Sequence, residues 1–144
     1  MKRISGREID PSAYQRDPGA YAEVLAEGEY QGYSRSLASD FDLANKSGSV
    51  IEVKSAQSEL ANGEDGRFRL FKSQHERLVR QDRDGSAFYV FVLFDVSSRP
   101  LTARMKRMNP ADIRYTIGAR GGWYNAGHVA GKEYKLPIEA VFTR

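Results

Sequence analysis

The chain has 144 residues, 40% of them hydrophobic and 28% charged, with no cysteine and only two histidines, His75 and His128. That suits one domain with a real core, excludes disulfides and thiolate metal sites, and leaves too few histidines for a zinc centre. No run of about 18 apolar residues crosses a membrane and no apolar leader opens the chain, so a cytoplasmic protein is expected.

Residues 1–16 read as polar and irregular, with a brief helical turn at Asp10-Pro11. Asp17-Pro18 starts a helix, with Asp as the cap and Pro in the first helical position. Tyr21, Val24 and Leu25 give that helix an apolar stripe, and Gly28 ends it. Glu23 and Glu27, four apart, share a face that is either solvated or functional. Residues 29–36 alternate loosely and read as a first strand. Next come Asp40-Phe41-Asp42-Leu43-Ala44, a turn at Asn45-Lys46-Ser47-Gly48, and Ser49-Val50-Ile51-Glu52-Val53-Lys54, which together read as a hairpin. Residues 55–66 read as a flexible loop, and 67–71 as a half-buried strand or an extended lead into the next helix.

Ser73-Gln74-His75-Glu76 has the pattern of a capping box, with Leu78 and Val79 as the packing face of its helix. Lys72 and Gln74 lie near that helix's N-terminus, where backbone N–H groups favour phosphate. Asp84-Gly85 turns the chain into Ala87–Asp95, apolar throughout and therefore expected at the centre of a sheet. After Pro100 the pattern weakens. Arg104-Met105-Lys106-Arg107 is a basic cluster, and Asn109-Pro110 starts a short helix with Ile113 and Ile117 turned inward. Glycine-rich loops at 118–122 and 127–131 flank Trp123 and Tyr124, which cover the core or, beside Arg120, stack on a base. Residues 134–142 alternate around Pro137 and read as an edge strand.

The chemistry concentrates in the hairpin. Side chains alternate along a strand, so Glu52 and Lys54 point the same way, and Asp42 can meet them at one end of the sheet. A Glu-x-Lys pair alone is usually a solvated face. Here Val50, Ile51 and Val53 surround it, and desolvated charges cost several kcal/mol unless paired or bound to metal. Two carboxylates and an ammonium are what metal-assisted phosphodiester hydrolysis requires. The carboxylates hold Mg²⁺, the ion acidifies a water, and the lysine orients or deprotonates the nucleophile. The charge distribution agrees with a polyanion held against such a site. Residues 1–98 carry 13 basic and 16 acidic side chains, residues 99–144 nine and three, within a net charge of +3. Arg outnumbers Lys 15 to 7, and Arg suits bidentate phosphate contacts.

The segment from Asp40 to Lys54 resembles the core motif of the PD-(D/E)XK nuclease superfamily. Residues 68–78 and then 87–95 look like its continuation in archaeal Holliday junction resolvases, a strand, a helix opening near a Gln, and a second hydrophobic strand. The likeness spans roughly residues 18–95. It lacks the proline before the Asp, where Ser39 or Phe41 stands. Asp40 and Asp42, two apart on one strand face, therefore both stay open as ligands. Asp42 is preferred because it begins the apolar Leu43-Ala44 pair and leaves the usual hairpin length.

The resemblance implies an α/β, restriction-endonuclease-like fold, with a mixed central β-sheet flanked by helices. It implies a Mg²⁺-dependent, structure-selective DNA endonuclease, a junction resolvase acting as a homodimer on branched or four-way DNA, with Mn²⁺ as a substitute metal. In such families the first helix supplies a Glu to the metal, here Glu23 with Glu27 second, and the Val53 carbonyl is a further ligand. Asp42, Glu52, Lys54 and Gln74 would carry the chemistry. Arg35 and Lys72 would contact the scissile region, and Arg104, Lys106 and Arg107 more distant phosphates. The alternatives are another nuclease of this superfamily (restriction, repair or phage recombination type), a nucleic-acid-binding module without activity, or a coincidental motif in an RNA-binding or structural domain.

Overall fold

The structure, a computed structural model, describes residues 6–35, 41–82, 86–125 and 131–142. Asp40, the Asp84-Gly85 turn, His128 and most of the 127–131 loop lie outside the described residues. In chain order the elements are β1 (Arg7–Glu8), α1 (Pro11–Arg16), α2 (Pro18–Glu29), β2 (Leu43–Ala44), β3 (Val50–Gln57), β4 (Arg67–Phe71), α3 (Lys72–Gln81), β5 (Ala87–Asp95), β6 (Thr102–Met108), α4 (Pro110–Ala119), β7 (Tyr124–Asn125) and β8 (Lys132–Pro137), followed by a 3-10 turn at Ile138–Ala140. Among the described residues no helix is long and apolar enough to cross a membrane.

Five strands form a mixed sheet in the order β1-β6-β5-β3-β2, in which only β3 and β5 run parallel. The expected restriction-endonuclease-like architecture is therefore the one observed. β5 is central because eight of its nine residues are buried, and it feeds two cores by strand alternation. Phe88, Val90, Val92 and Phe94 meet Ile51, Val53 and the α1–α2 layer. Tyr89, Phe91 and Leu93 meet Leu78 of α3, Ile113 and Ile117 of α4, and Phe68, Leu70 and Leu136 of a second, antiparallel sheet ordered β4-β8-β7. Each large side chain buried this way contributes about 1.5–3 kcal/mol.

Several local readings change. The Asp10 and Asp17 caps form, accepting from Ser12 and Ala20 N–H at 3.0 and 3.1 Å. However, α2 runs through Gly28 to Glu29, and it buries Ala22 and Ala26 while Val24 is 43% exposed. Two alanines four apart let the helix seat closely against β3, which a Val24 stripe would hold off. Residues 29–35 form no strand; Ser34 makes one isolated bridge to Ala44. β3 continues to Gln57, three residues into the expected loop.

The capping box does not form either. β4 passes directly into α3 with Phe71 as N-cap, so Ser73 sits two residues too far inside the helix to cap it. Asn109 precedes α4 as expected but makes no side-chain cap bond. The basic cluster of residues 104–107 is part of a seven-residue strand, β6. β8 is not an edge strand, for it lies between β4 and β7; Pro137 is its last residue, where it removes no inner ladder bond.

Candidate active site

The turn at residues 45–48 is built by its first residue. The Asn45 side chain accepts from Ser47 and Ser49 N–H at 3.1 and 2.8 Å, and Gly48 takes φ +88°. That turn sets Leu43 opposite Ile51 and brings Asp42, just before β2, to the β3 edge. There Asp42 Oδ2 accepts the Val53 N–H at 2.8 Å. Glu52 is 5% exposed. Its burial first, and then the charge of Asp42, push its carboxyl up to about 8, while Lys54 pulls the other way.

Lys54 Nζ stands 4.0 Å from Glu52 Oε2 and donates to Gln74 Oε1 at 2.9 Å. The ammonium lies 5.8 Å from the centre of the Phe71 ring, and the Arg69 guanidinium lies 5.2 Å from the same ring. Arg69 Nε in turn donates to the buried Glu133 carboxylate at 2.8 Å. The parallel β3–β5 register also places Glu52 opposite Tyr89, whose hydroxyl is 2.8 Å from His75 Nδ1. Burial, and after it the Glu52 charge, raises the Tyr89 phenol and keeps it protonated.

Of the other residues expected at the site, Glu23 faces it and Glu27 is engaged elsewhere. Burial, then the charge of Asp42, raises the Glu23 carboxyl, with Arg35 opposing. Glu27 Oε2 accepts the Arg35 backbone N–H at 2.9 Å and lies 3.8 Å from its guanidinium. Lys72 lines a cleft beside α3, together with His75 and Trp123. The β6 cations do not form one patch, because strand alternation divides them. Arg107 lies 3.8 Å over the Phe88 ring, in the core covered by α1 and α2, and Arg104 lies 4.8 Å over Phe142, in the other. Lys106 is exposed and shares the Arg104 side of the strand.

Sequence reading missed Phe71, Arg69, Tyr89 and His75. The alternation Arg67-Phe68-Arg69-Leu70-Phe71 holds a signal for the first two, since odd positions face outward. The Tyr89–His75 pair depends on how α3 packs on β5, and no local pattern encodes it.

Among the described residues, no group of three or more His, Asp and Glu side chains is gathered closely enough to hold a metal ion. The donor chemistry at Asp42 and Glu52 nevertheless fits a divalent cation. A buried carboxyl raised by a second carboxylate is a pair that a dication relieves, and the donors are the hard oxygens such ions select.

A family model described as the PD-(D/E)XK nuclease superfamily domain matches residues 10–143. That span exceeds the segment 18–95 on which the sequence likeness rests, and takes in β6, α4 and β8. No curated protein matches the chain.

Proposed function

The chain belongs to the PD-(D/E)XK nuclease superfamily, and on that footing we propose that it is a Mg²⁺-dependent, structure-selective DNA endonuclease. One observation carries the reading, the buried Asp42–Glu52 pair with Lys54 Nζ 4.0 Å from Glu52. Asp42, Glu52 and the Val53 carbonyl would hold the metal, with Glu23 completing the set. Bound there, Mg²⁺ or Mn²⁺ supplies an acidified water and neutralises phosphate charge. Lys54 orients the attacking water and stabilises the charge that develops on the phosphoryl oxygens. Gln74 holds one of the three ammonium protons, which fixes the direction of the other two. Phe71 beside the ammonium excludes water and strengthens its field.

The substrate we assign is a four-way DNA junction, cut in recombination or repair by a homodimer in the cytoplasm. The order of strand, Gln-bearing helix and apolar strand after the motif supports this assignment. A two-fold dimer would set two sites against opposed strands. A second reading is a module that binds nucleic acid without cutting it.

Labelled four-way junction, linear duplex and single-stranded DNA, incubated in Mg²⁺ or Mn²⁺ with wild type and Asp42→Asn, separate these readings. The expected result is paired symmetric cuts in the junction alone, reduced roughly a thousandfold or more by Asp42→Asn with binding retained. Cutting of duplex or single strands would keep the nuclease and discard the resolvase. Binding without any cut would establish the module.

A further inference from the structure

Helical spacing puts residues 72, 75, 76 and 80 on one face of α3, about opposite Gln74. On that face a cleft of about 280 Å³ is lined by Lys72, His75, Glu76, Arg80, Arg114 and Trp123. Three cations stand against one carboxylate. Among the described residues, Lys72, Arg80 and Arg114 make no ion pair. The cleft therefore offers more positive charge than its own wall uses.

His75 supplies the second observation. It is 2% exposed, and its Nε2 has no hydrogen-bond partner among the described residues. The orphan atom can be identified as a donor. Burial first, and then Arg114, holds the imidazole down at about 4, so the ring is neutral. The protonated Tyr89 hydroxyl has no other partner among the described residues and gives its proton to Nδ1, which leaves the ring's own proton on Nε2. A buried N–H lacks an acceptor, and the side chains around it are mostly donors as well. Donors converging from two helices, two of them guanidinium forks, match the oxygens of a tetrahedral anion.

We propose that this cleft binds a phosphate group carried by a nucleic-acid strand, with Lys72, Arg80 and Arg114 as its charged contacts and His75 Nε2 as the innermost donor. The proposal rests on the nuclease reading for its partner. Lys72 shares the first turn of α3 with Gln74, so a phosphate held here anchors the strand across that turn from the bond presented to Lys54. Trp123 packs with its ring centre 5.4 Å from that of His75. It follows Gly121 and Gly122, at φ +105° and +82°, conformations open to glycine.

Trp123 is the only tryptophan, so its fluorescence reports on this cleft. Asp42→Asn protein in chelator, where nothing is cut, would be titrated with inorganic phosphate and with short oligothymidylates bearing a 5′-phosphate or a 5′-hydroxyl, all at constant ionic strength. A saturable change is expected with phosphate and oligonucleotide but not with chloride. Adding Arg114→Ala or Arg80→Ala, both exposed positions, should weaken it roughly tenfold. Tighter binding of the 5′-phosphorylated strand assigns a terminal phosphate, and equal binding assigns an internal phosphodiester. No saturable change, an equal response to chloride, or undiminished binding in Arg114→Ala overturns the proposal. Cleavage by the wild type is scored separately. A phosphate response without cleavage retains the cleft and fails the nuclease reading, whereas cleavage without the response does the opposite.

Discussion

Glu52 and His75 titrate in opposite senses, and both directions follow from burial. In the folded, metal-free chain Glu52 holds its proton up to about pH 8, against an ordinary value of 4.5. As pH rises through that window the unfolded chain releases its proton first, so stability falls; below 4.5 nothing is lost. Glu52→Gln should therefore melt higher than wild type at pH 8 in chelator. Mg²⁺ should raise the melting temperature of the wild type much more than that of the variant. His75 is held at about 4 against 6.5. As pH falls from 6.5 to 4 the unfolded chain takes up the proton first, at a cost of order 3 kcal/mol. His75→Phe removes that loss and leaves the Glu52 slope alone, so the variant should gain melting temperature as pH falls from 6.5 to 4.5, where wild type stays nearly level. The alternation of Glu52 and Lys54 was legible from residues two apart. The Tyr89–His75 bond was not, because it joins a strand to a helix fourteen residues away through packing alone.

At the scale of elements, two contacts control how α3 and β4 present the site. A Cβ on Gly66 would lie 1.8 Å from the Gln57 carbonyl oxygen, a backbone atom that cannot yield cheaply. Gly66→Ala should cost about 2–4 kcal/mol in urea unfolding, by forcing the start of β4 off the end of β3. Gln74→Ala should leave the fold intact and release Lys54. We expect kcat on a cleaved DNA substrate to fall roughly tenfold, with KM changed much less, since the lost interaction positions a charge rather than binding substrate. β5 could be read from its unbroken apolar run, and α4 from Asn109-Pro110 with Ile113 and Ile117. β6 was hidden because Arg104, Lys106 and Arg107 break the apolar pattern of a strand, although the two guanidinium groups lie over the Phe142 and Phe88 rings. The reading of 29–36 as a strand failed over its described residues, 29–35, because loose alternation without a partner strand leaves one isolated bridge there.

For the whole molecule, the two titrations combine. Between about pH 4.5 and 6.5 the gain from one offsets the loss from the other, so metal-free stability is expected to be nearly flat there and to fall on either side. Thermal melts across pH 4 to 8 in chelator check this, and Mg²⁺ should abolish only the alkaline fall. The mixed central sheet could be inferred from the order of elements and the motif they carry. The second sheet could not. β4 and β8 are more than sixty residues apart, and neither strand's pattern names its partner.

β2 pairs with β3 only at Val50 and Ile51, so the outward N–H of Val53 would be an open edge if Asp42 did not accept it at 2.8 Å. The same carboxylate proposed to hold the metal therefore also plugs the sheet against strand addition by a neighbouring chain. The consequence is a difference between two variants that both lose this carboxylate. Asp42→Asn keeps an oxygen that can accept the Val53 proton and should stay soluble on concentration. Asp42→Ala exposes that donor and should self-associate, visible as a rise in light scattering with time. Equal scattering from the two would show that other features guard this edge.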